Sequence, residues 1–271
     1  MNDNIAFIGG GNMATALISG LLRQGFTADQ ITVVEPFAEA QERLKTQLGI
    51  QAQPQAGSFL NQVGTVIWAV KPQSFHEAAL QVGAHTQGAL HLSVAAGVRS
   101  DSIAQWLGNE RVVRCMPNTP ALIGKGITAM FSRAAVSAAD RQQVERIVAS
   151  TGTFLWVDAE PQLDAVTAIS GSGPAYMFYF MEAMTAAGVD MGLERQQAYD
   201  LAVATFIGAG ELARASSEPP EVLRQRVTSK GGTTYAAITA MDASGIKDLF
   251  GNALHAAYQR AQEMGDEFGK V

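Results

Sequence analysis

The sequence predicts an α/β fold: a doubly wound, mostly parallel sheet over residues 1–158, then an all-α domain over residues 159–271. Three observations carry this. Short apolar runs alternate with amphipathic helical stretches through the first half, as repeated βαβ units require. A glycine cluster, Gly9-Gly10-Gly11, separates the first apolar run from the first helix. Beyond Pro161 only long helical patterns remain.

Residues 4–8 (Asn-Ile-Ala-Phe-Ile) have the apolar, β-branched character of a strand buried on both faces. Met13, Ala14, Leu17, Ile18, Leu21 and Leu22 then recur at helical spacing until Gly25 ends the helix. Further strands are expected at Ile31–Glu35, Thr65–Val70, Leu90–Ala95, Val112–Met116, Ile127–Phe131 and Thr153–Val157. Helices are expected around 37–48, 73–82, 100–107 and 137–150. In the second half they are expected at 161–169, 174–188, 194–215, 219–227, 233–243 and 245–267. Pro174 and Pro219-Pro220 mark helix entries there. Small and soft residues on these helices (Ala183, Met184, Ala187, Ala202, Ala209) suit close packing, within one chain or across an intertwined dimer.

Composition narrows the function. A formal net charge of -6 with no basic run argues against nucleic-acid or anionic-membrane partners. The lone Cys115 excludes an intramolecular disulfide and a Cys-based zinc site. His76, His85, His91 and His255 show no metal-ligand spacing, so no metal is expected. The start, Met1-Asn2-Asp3-Asn4, lacks the basic region of a secretion leader, and no run reaches the roughly 18 apolar residues of a membrane span. A cytoplasmic location is expected.

Gly9-Gly10-Gly11-Asn12-Met13-Ala14, following Ile8, fits G-x-G-x-x-[G/A] between strand and helix, the fingerprint of a Rossmann dinucleotide site. Gly9 permits the tight turn, Gly11 lets backbone approach a pyrophosphate, and the helix start offers unpaired amides. The second strand ends in Glu35, 24 residues after Gly11, where a ribose-binding carboxylate belongs. A carboxylate there pairs with the 2′-hydroxyl of NADH and repels the 2′-phosphate of NADPH, which favours NADH or dual use. Ala69-Val70-Lys71-Pro72 and Ala95-Ala96-Gly97 close two further strands and are expected to face the cofactor. In the helical half, Ser170-Gly171-Ser172-Gly173-Pro174 reads as a capped helix start in tight contact with another backbone. Thr228-Ser229-Lys230-Gly231-Gly232-Thr233-Thr234 precedes a helix and makes a nest of free amides suited to a carboxylate.

With these segments in place, the chain resembles the pyrroline-5-carboxylate reductase family. The matching stretches are Ile8 to Met13, Ala69 to Pro72, Ala95 to Gly97, Arg114-Cys115-Met116-Pro117-Asn118-Thr119-Pro120, Asp164 to Thr167 and Ser170 to Tyr176. The C-terminal signature is Leu223-Arg224, Val227-Thr228-Ser229 and Gly231-Gly232-Thr233-Thr234, with Lys230 where the family often has proline. The resemblance implies a helical domain interlocked with its twin, and an active site between one subunit's cofactor and helices of the dimer. A ring of dimers is implied as the higher assembly. The usual cofactor would be NADPH, with NADH accepted by some members.

The substrate so implied, 1-pyrroline-5-carboxylate, is a cyclic imine with one carboxylate. Its protonated C=N accepts hydride without a nucleophile or a metal, and the product is L-proline. The amides of Gly231, Gly232, Thr233 and Thr234 and the Ser229 hydroxyl are expected to hold the carboxylate. Thr234 Oγ1 is expected to bond the ring nitrogen, and Glu160, matching an acidic family position, to favour the iminium. Two rivals are a β-hydroxyacid dehydrogenase-like enzyme and a non-catalytic nucleotide sensor. The first needs a lysine on the helix beginning at Gly173, whose charged residues are Glu182 and Asp190. The second leaves the 231–234 nest without a purpose.

Overall fold

The computed structural model describes residues 4–269; Met1–Asp3, where the sequence shows no basic leader region, and Lys270 and Val271 lie outside the described residues. The first half forms a seven-stranded sheet in the order β2-β1-β3-β4-β5-β6-β7. The strands are β1 (Ile5–Ile8), β2 (Ile31–Val34), β3 (Thr65–Trp68), β4 (Leu90–Ser93), β5 (Val112–Met116), β6 (Gly126–Ser132) and β7 (Gly152–Trp156). The helices between them are α1 (Asn12–Arg23), α2 (Ala38–Leu48), α3 (Pro72–Val82), α4 (Ser100–Leu107) and α5 (Ala138–Val148).

Alternate strand residues feed the two faces of the sheet. Ile5, Phe7, Val33, Ile67 and Leu92 pack beneath Ile18, Leu21 and Leu44, while Ala6, Ile8, Val66 and Trp68 meet Phe75, Val82 and Ile103. Burial on both faces explains why these strands read as unbroken apolar runs. Each large apolar side chain so buried contributes about 1.5–3 kcal/mol. Among the described residues every strand pairing is parallel except β5 with β6. There the chain turns through a short 3-10 segment, Thr119–Ile123, and the left-handed Gly124. A parallel return needs a longer crossover.

By its internal contacts the chain forms two compact units, Met1–Ser172 with Ala257–Val271, and Gly173–Ala256. The reason lies in two segments. Helix α6 (Gln162–Val166) packs on β5 and β6 and buries Leu163 and Asp164. The last turns of helix α11 (Ile246–Phe268) meet the loop after β4, where a Cβ on Gly97 would stand 2.9 Å from Met264 Cβ. The expected capped start at 170–174 is instead a π-helical turn, Thr167–Gly171, running almost directly into helix α7 (Gly173–Asp190). Its signature is the Ser172 N–H donating to Thr167 O at 2.8 Å. Gly171 lies so close to Met116 that a side chain there would collide with it.

The second unit contains α7, α8 (Arg195–Ala215), α9 (Pro220–Arg226), α10 (Thr233–Ala243) and the start of α11. Gly192, at φ +98°, turns α7 into α8, and Gly188 abuts Ala198. These long helices bury little: Thr185 and Gly188 on α7, Ala198 and Ala202 on α8. Tyr179, Leu201, Ile207, Leu212 and Leu249 are exposed. Apolar helix faces left open on this scale mark an interaction surface. Among the described residues no helix is long and apolar enough to cross a membrane.

Candidate active site

A cleft of about 790 Å³ opens at the carboxyl ends of β1, β2 and β3. The chain order reverses here, β2 lying to one side of β1 and β3 to the other. Open α/β sheets bind ligands at such a switch point. Ile8, Gly9, Gly11, Glu35, Ala69, Val70 and Lys71 line it, joined by Phe37, Gln55, Ser74 and Gln81. Gly9 has φ +96°, and a Cβ there would lie 2.6 Å from Ala69 O, so only glycine fits. Gly11 is different: its φ is -73° and a Cβ would meet nothing. The space beside it is open. Asn12 and Met13 begin α1, whose first turn has neither a side-chain cap nor an acidic residue. These features together fit the pyrophosphate of a dinucleotide.

Glu35 is turned inward, only 6% exposed. Its Oε2 accepts the Gly10 N–H at 2.7 Å and its Oε1 accepts the Phe37 N–H at 2.9 Å. Arg43 Nη2 donates to Gly10 O at 3.1 Å. The carboxylate therefore fastens the glycine turn to the end of β2 while still lining the cleft. Phe37, anchored through its N–H, projects its ring to 72% exposure at the rim. Arg43 and Phe37 lack a local signature, and sequence reasoning missed both. Pro72 opens α3 beside Lys71. Ala95, Ala96 and Gly97 form the loop after β4 and are not among the cleft's lining residues.

Glu160 is committed to neighbours in its own unit. Its Oε1 accepts the Ser100 N–H at 2.7 Å and Arg114 Nη1–H at 2.6 Å, and its Oε2 accepts the Ser100 Oγ–H at 2.5 Å. Its charge is thus met by Arg114, so a free negative charge facing an iminium is not what this geometry offers. Burial pulls the Arg114 guanidinium below its ordinary pKa, with Glu160 acting in the opposite sense. Cys115 is buried and its thiol is pushed up by desolvation, so it stays protonated and unreactive. No group of three or more potential metal ligands occurs among the described residues.

In the helical unit, Gly231 takes φ +76° and Gly232 caps α10 in extended conformation, with no side chain capping the helix. Gly232 N–H donates to Ser229 O at 3.0 Å. A Cβ on Gly232 would stand 2.7 Å from Ser229 Oγ, so glycine lets that hydroxyl sit over the helix start. Thr233 and Thr234 supply the next amides and two hydroxyls. The turn therefore gathers N–H groups, a helix's positive end and hydroxyls, the donor set a carboxylate needs.

Two family models match the chain, one in each half. Residues 4–97 match a family model described as NADP oxidoreductase, coenzyme F420-dependent. Residues 160–264, which hold the exposed helix faces, match one described as pyrroline-5-carboxylate reductase dimerisation. The pyrroline-5-carboxylate reductase of Pseudomonas aeruginosa is 43% identical over 268 residues, covering 98% of each chain. That of Haemophilus influenzae is 37% identical over 266 residues, 96% of this chain and 97% of its own. The solved pyrroline-5-carboxylate reductase of Coxiella burnetii superposes with a TM-score of 0.89 at 34% identity, over 96% of this chain and 98% of that one. Plasmodium falciparum pyrroline carboxylate reductase, solved with NADP bound, gives a TM-score of 0.85 at 27% identity over 97% and 98% of the two chains. This chain belongs to the pyrroline-5-carboxylate reductase family.

Proposed function

We propose that this chain reduces 1-pyrroline-5-carboxylate to L-proline, the last step of proline synthesis, with NADPH or NADH as reductant. The observation that carries the reading is the uncapped start of α10, where Gly232 clears space for Ser229 Oγ beside the first amides of the helix. It supplies a carboxylate site on a chain whose other site suits a dinucleotide.

A nicotinamide held in this cleft would supply the hydride that the imine carbon accepts. The protein's own work is placement. The Gly9–Gly11 turn and the first amides of α1 receive the pyrophosphate, with Phe37 a flat apolar wall at the cleft rim. The amides of Gly231, Thr233 and Thr234 and the Ser229 hydroxyl fix the substrate carboxylate, the Gly232 N–H holding the turn through Ser229 O, and Thr234 Oγ1 bonds the ring nitrogen. Holding both partners in register can lower the barrier by roughly 7–11 kcal/mol, which suits a reaction that needs no nucleophile. Glu35 places a buried negative charge at the end of β2, so NADH is used alongside NADPH rather than excluded. The helical unit pairs with a second copy through its exposed faces, dimers assembling further into a ring. The reading places the enzyme in the cytoplasm, without nucleic-acid or membrane partners.

Purified protein mixed with the imine should consume the nicotinamide absorbance with both cofactors, and Thr234→Ala should lower kcat strongly while cofactor affinity barely changes. Loss of signal with neither cofactor, from protein shown to bind them, would remove the substrate assignment. Wild-type turnover in Thr234→Ala would remove the role given to that hydroxyl.

A further inference from the structure

Four charged side chains that hydride transfer does not use converge around the segment joining β4 to α4. Arg99 Nη1 and Nη2 donate to Asp164 Oδ1 and Oδ2 at 3.1 and 2.9 Å. Arg114 pairs with Glu160 at 2.6 Å, and Glu160 holds both the N–H and the hydroxyl of Ser100. Glu160 and Asp164 stand four residues apart at the start of α6, while the arginines come from the loop and from β5. The charges balance. Arg133 at the end of β6 adds a 3.4 Å bond to Ser100 Oγ and pairs with Asp101 and Glu110.

The cluster frames an otherwise irregular stretch. Between Ser93 and Ser100 the backbone belongs to no helix or strand, and Gly97 is left-handed at φ +76°. From the other side α11 closes on the stretch: Met264 and Phe268 crowd Gly97, and a side chain on Gly265 would collide with the Arg99 guanidinium. Buried ion pairs seldom outperform apolar packing as a source of stability, whereas a bidentate fork defines one geometry. Conformational definition is therefore the physical role this arrangement fits.

We propose that Glu160, Arg114, Arg99 and Asp164 form a positioning device that fixes the Ala95–Gly97 backbone at the end of β4, and that Glu160 serves the reaction only through that placement. The proposal rests on the cofactor reading above and adds to it that this backbone, expected from the sequence to face the cofactor and lying outside the lining of the cleft at β1–β3, meets the nicotinamide half.

The test is calorimetric binding to the protein without imine, using wild type, Glu160→Gln and Asp164→Asn. The probes are NADH and NADPH, with ADP-ribose and its 2′-phosphate, which lack the nicotinamide ring. Both variants should lose about tenfold in affinity for the whole reduced cofactors. Affinity for the truncated fragments should stay within about twofold. The pH profile of kcat/KM for the imine should keep its wild-type shape. Equal losses for whole and truncated ligands, or no loss, would overturn the proposal. So would an altered pH profile with unchanged cofactor binding, which would return Glu160 to direct action on the substrate. Should Glu160→Gln not fold, Arg99→Lys keeps the charge without the fork and is held to the same expectations. Wild-type protein that binds none of the four probes would instead sink the cofactor reading itself.

Discussion

The carboxylate of Glu35 accepts the N–H of Gly10 at 2.7 Å across 25 residues of sequence, while Arg43 donates to the carbonyl of the same glycine. Both polar backbone atoms of the central glycine are thereby held by charged side chains from outside the turn. On the proposed reading, the residue at the end of β2 that would meet a ribose also shapes the turn that would meet the phosphates. Glu35→Gln separates these tasks. An amide has one acceptor oxygen, so one of the two N–H groups, on Gly10 or Phe37, is left unpaired at a cost of about 1–3 kcal/mol. Thermal melts should show that loss. Removing the charge should also raise the ratio of NADPH to NADH efficiency severalfold, and an unchanged ratio would show that Glu35 has no part in cofactor choice.

Gly9 and Gly11 are expected to fail differently. Alanine at Gly9 forces a residue with φ +96° into contact with Ala69 O and should destabilise the fold by about 1–3 kcal/mol or more, read as a lower Tm. Alanine at Gly11 meets no protein atom, so its Tm should match wild type while cofactor affinity falls by about tenfold. A Gly11→Ala protein that binds cofactor normally would contradict a phosphate at that turn.

Local signals made most of this architecture readable. Val112–Met116 and Ser100–Leu107 are a strand and a helix at the boundaries their sequence periodicity indicates, because burial of one face or both imprints on adjacent residues. The glycine turn was legible for the same reason. The ion pairs Arg99–Asp164 and Arg114–Glu160 join residues 65 and 46 apart, and no periodicity encodes such partners. The antiparallel β6 was hidden because the strand's own residues are the same either way; only the short Thr119–Ile123 connection distinguishes it. The π turn at Thr167–Gly171 keeps a helical sequence pattern and shows itself only in its hydrogen bonds.

The helical unit should be stable only with its faces covered. Ile207 and Leu212 are exposed on α8, inside the region matched to a dimerisation model. Each apolar side chain buried on assembly contributes about 1.5–3 kcal/mol, so Ile207→Arg with Leu212→Arg should raise the dimer dissociation constant at least 100-fold (about 3 kcal/mol). Sedimentation should show monomer at concentrations where wild type is dimeric or larger. Retained assembly would place the interface on other helices.

His91 gives the stability of the sheet a pH dependence of definite sign. It is wholly buried on β4, and its Nδ1 accepts Trp68 Nε1–H at 3.1 Å. Burial, with a smaller contribution from Arg111, lowers its pKa from 6.5 to about 4, against an opposing interaction with the Thr86 backbone. Between those values the unfolded chain binds a proton that the folded chain refuses, so stability falls as pH drops from about 6.5 towards 4. The full loss is about 3 kcal/mol, from 1.36 kcal/mol per pKa unit. Asp140, whose pKa is lowered by its partners Arg111 and Ser137 despite desolvation, adds its own loss only in more acidic solution. Denaturant melts at pH 7.5, 6.5, 5.5 and 4.5 should trace this decline. In His91→Asn, whose oxygen can still accept from Trp68, the decline should be shallower by most of that amount. Parallel curves for the two proteins across this range would show that His91 is not the group responsible.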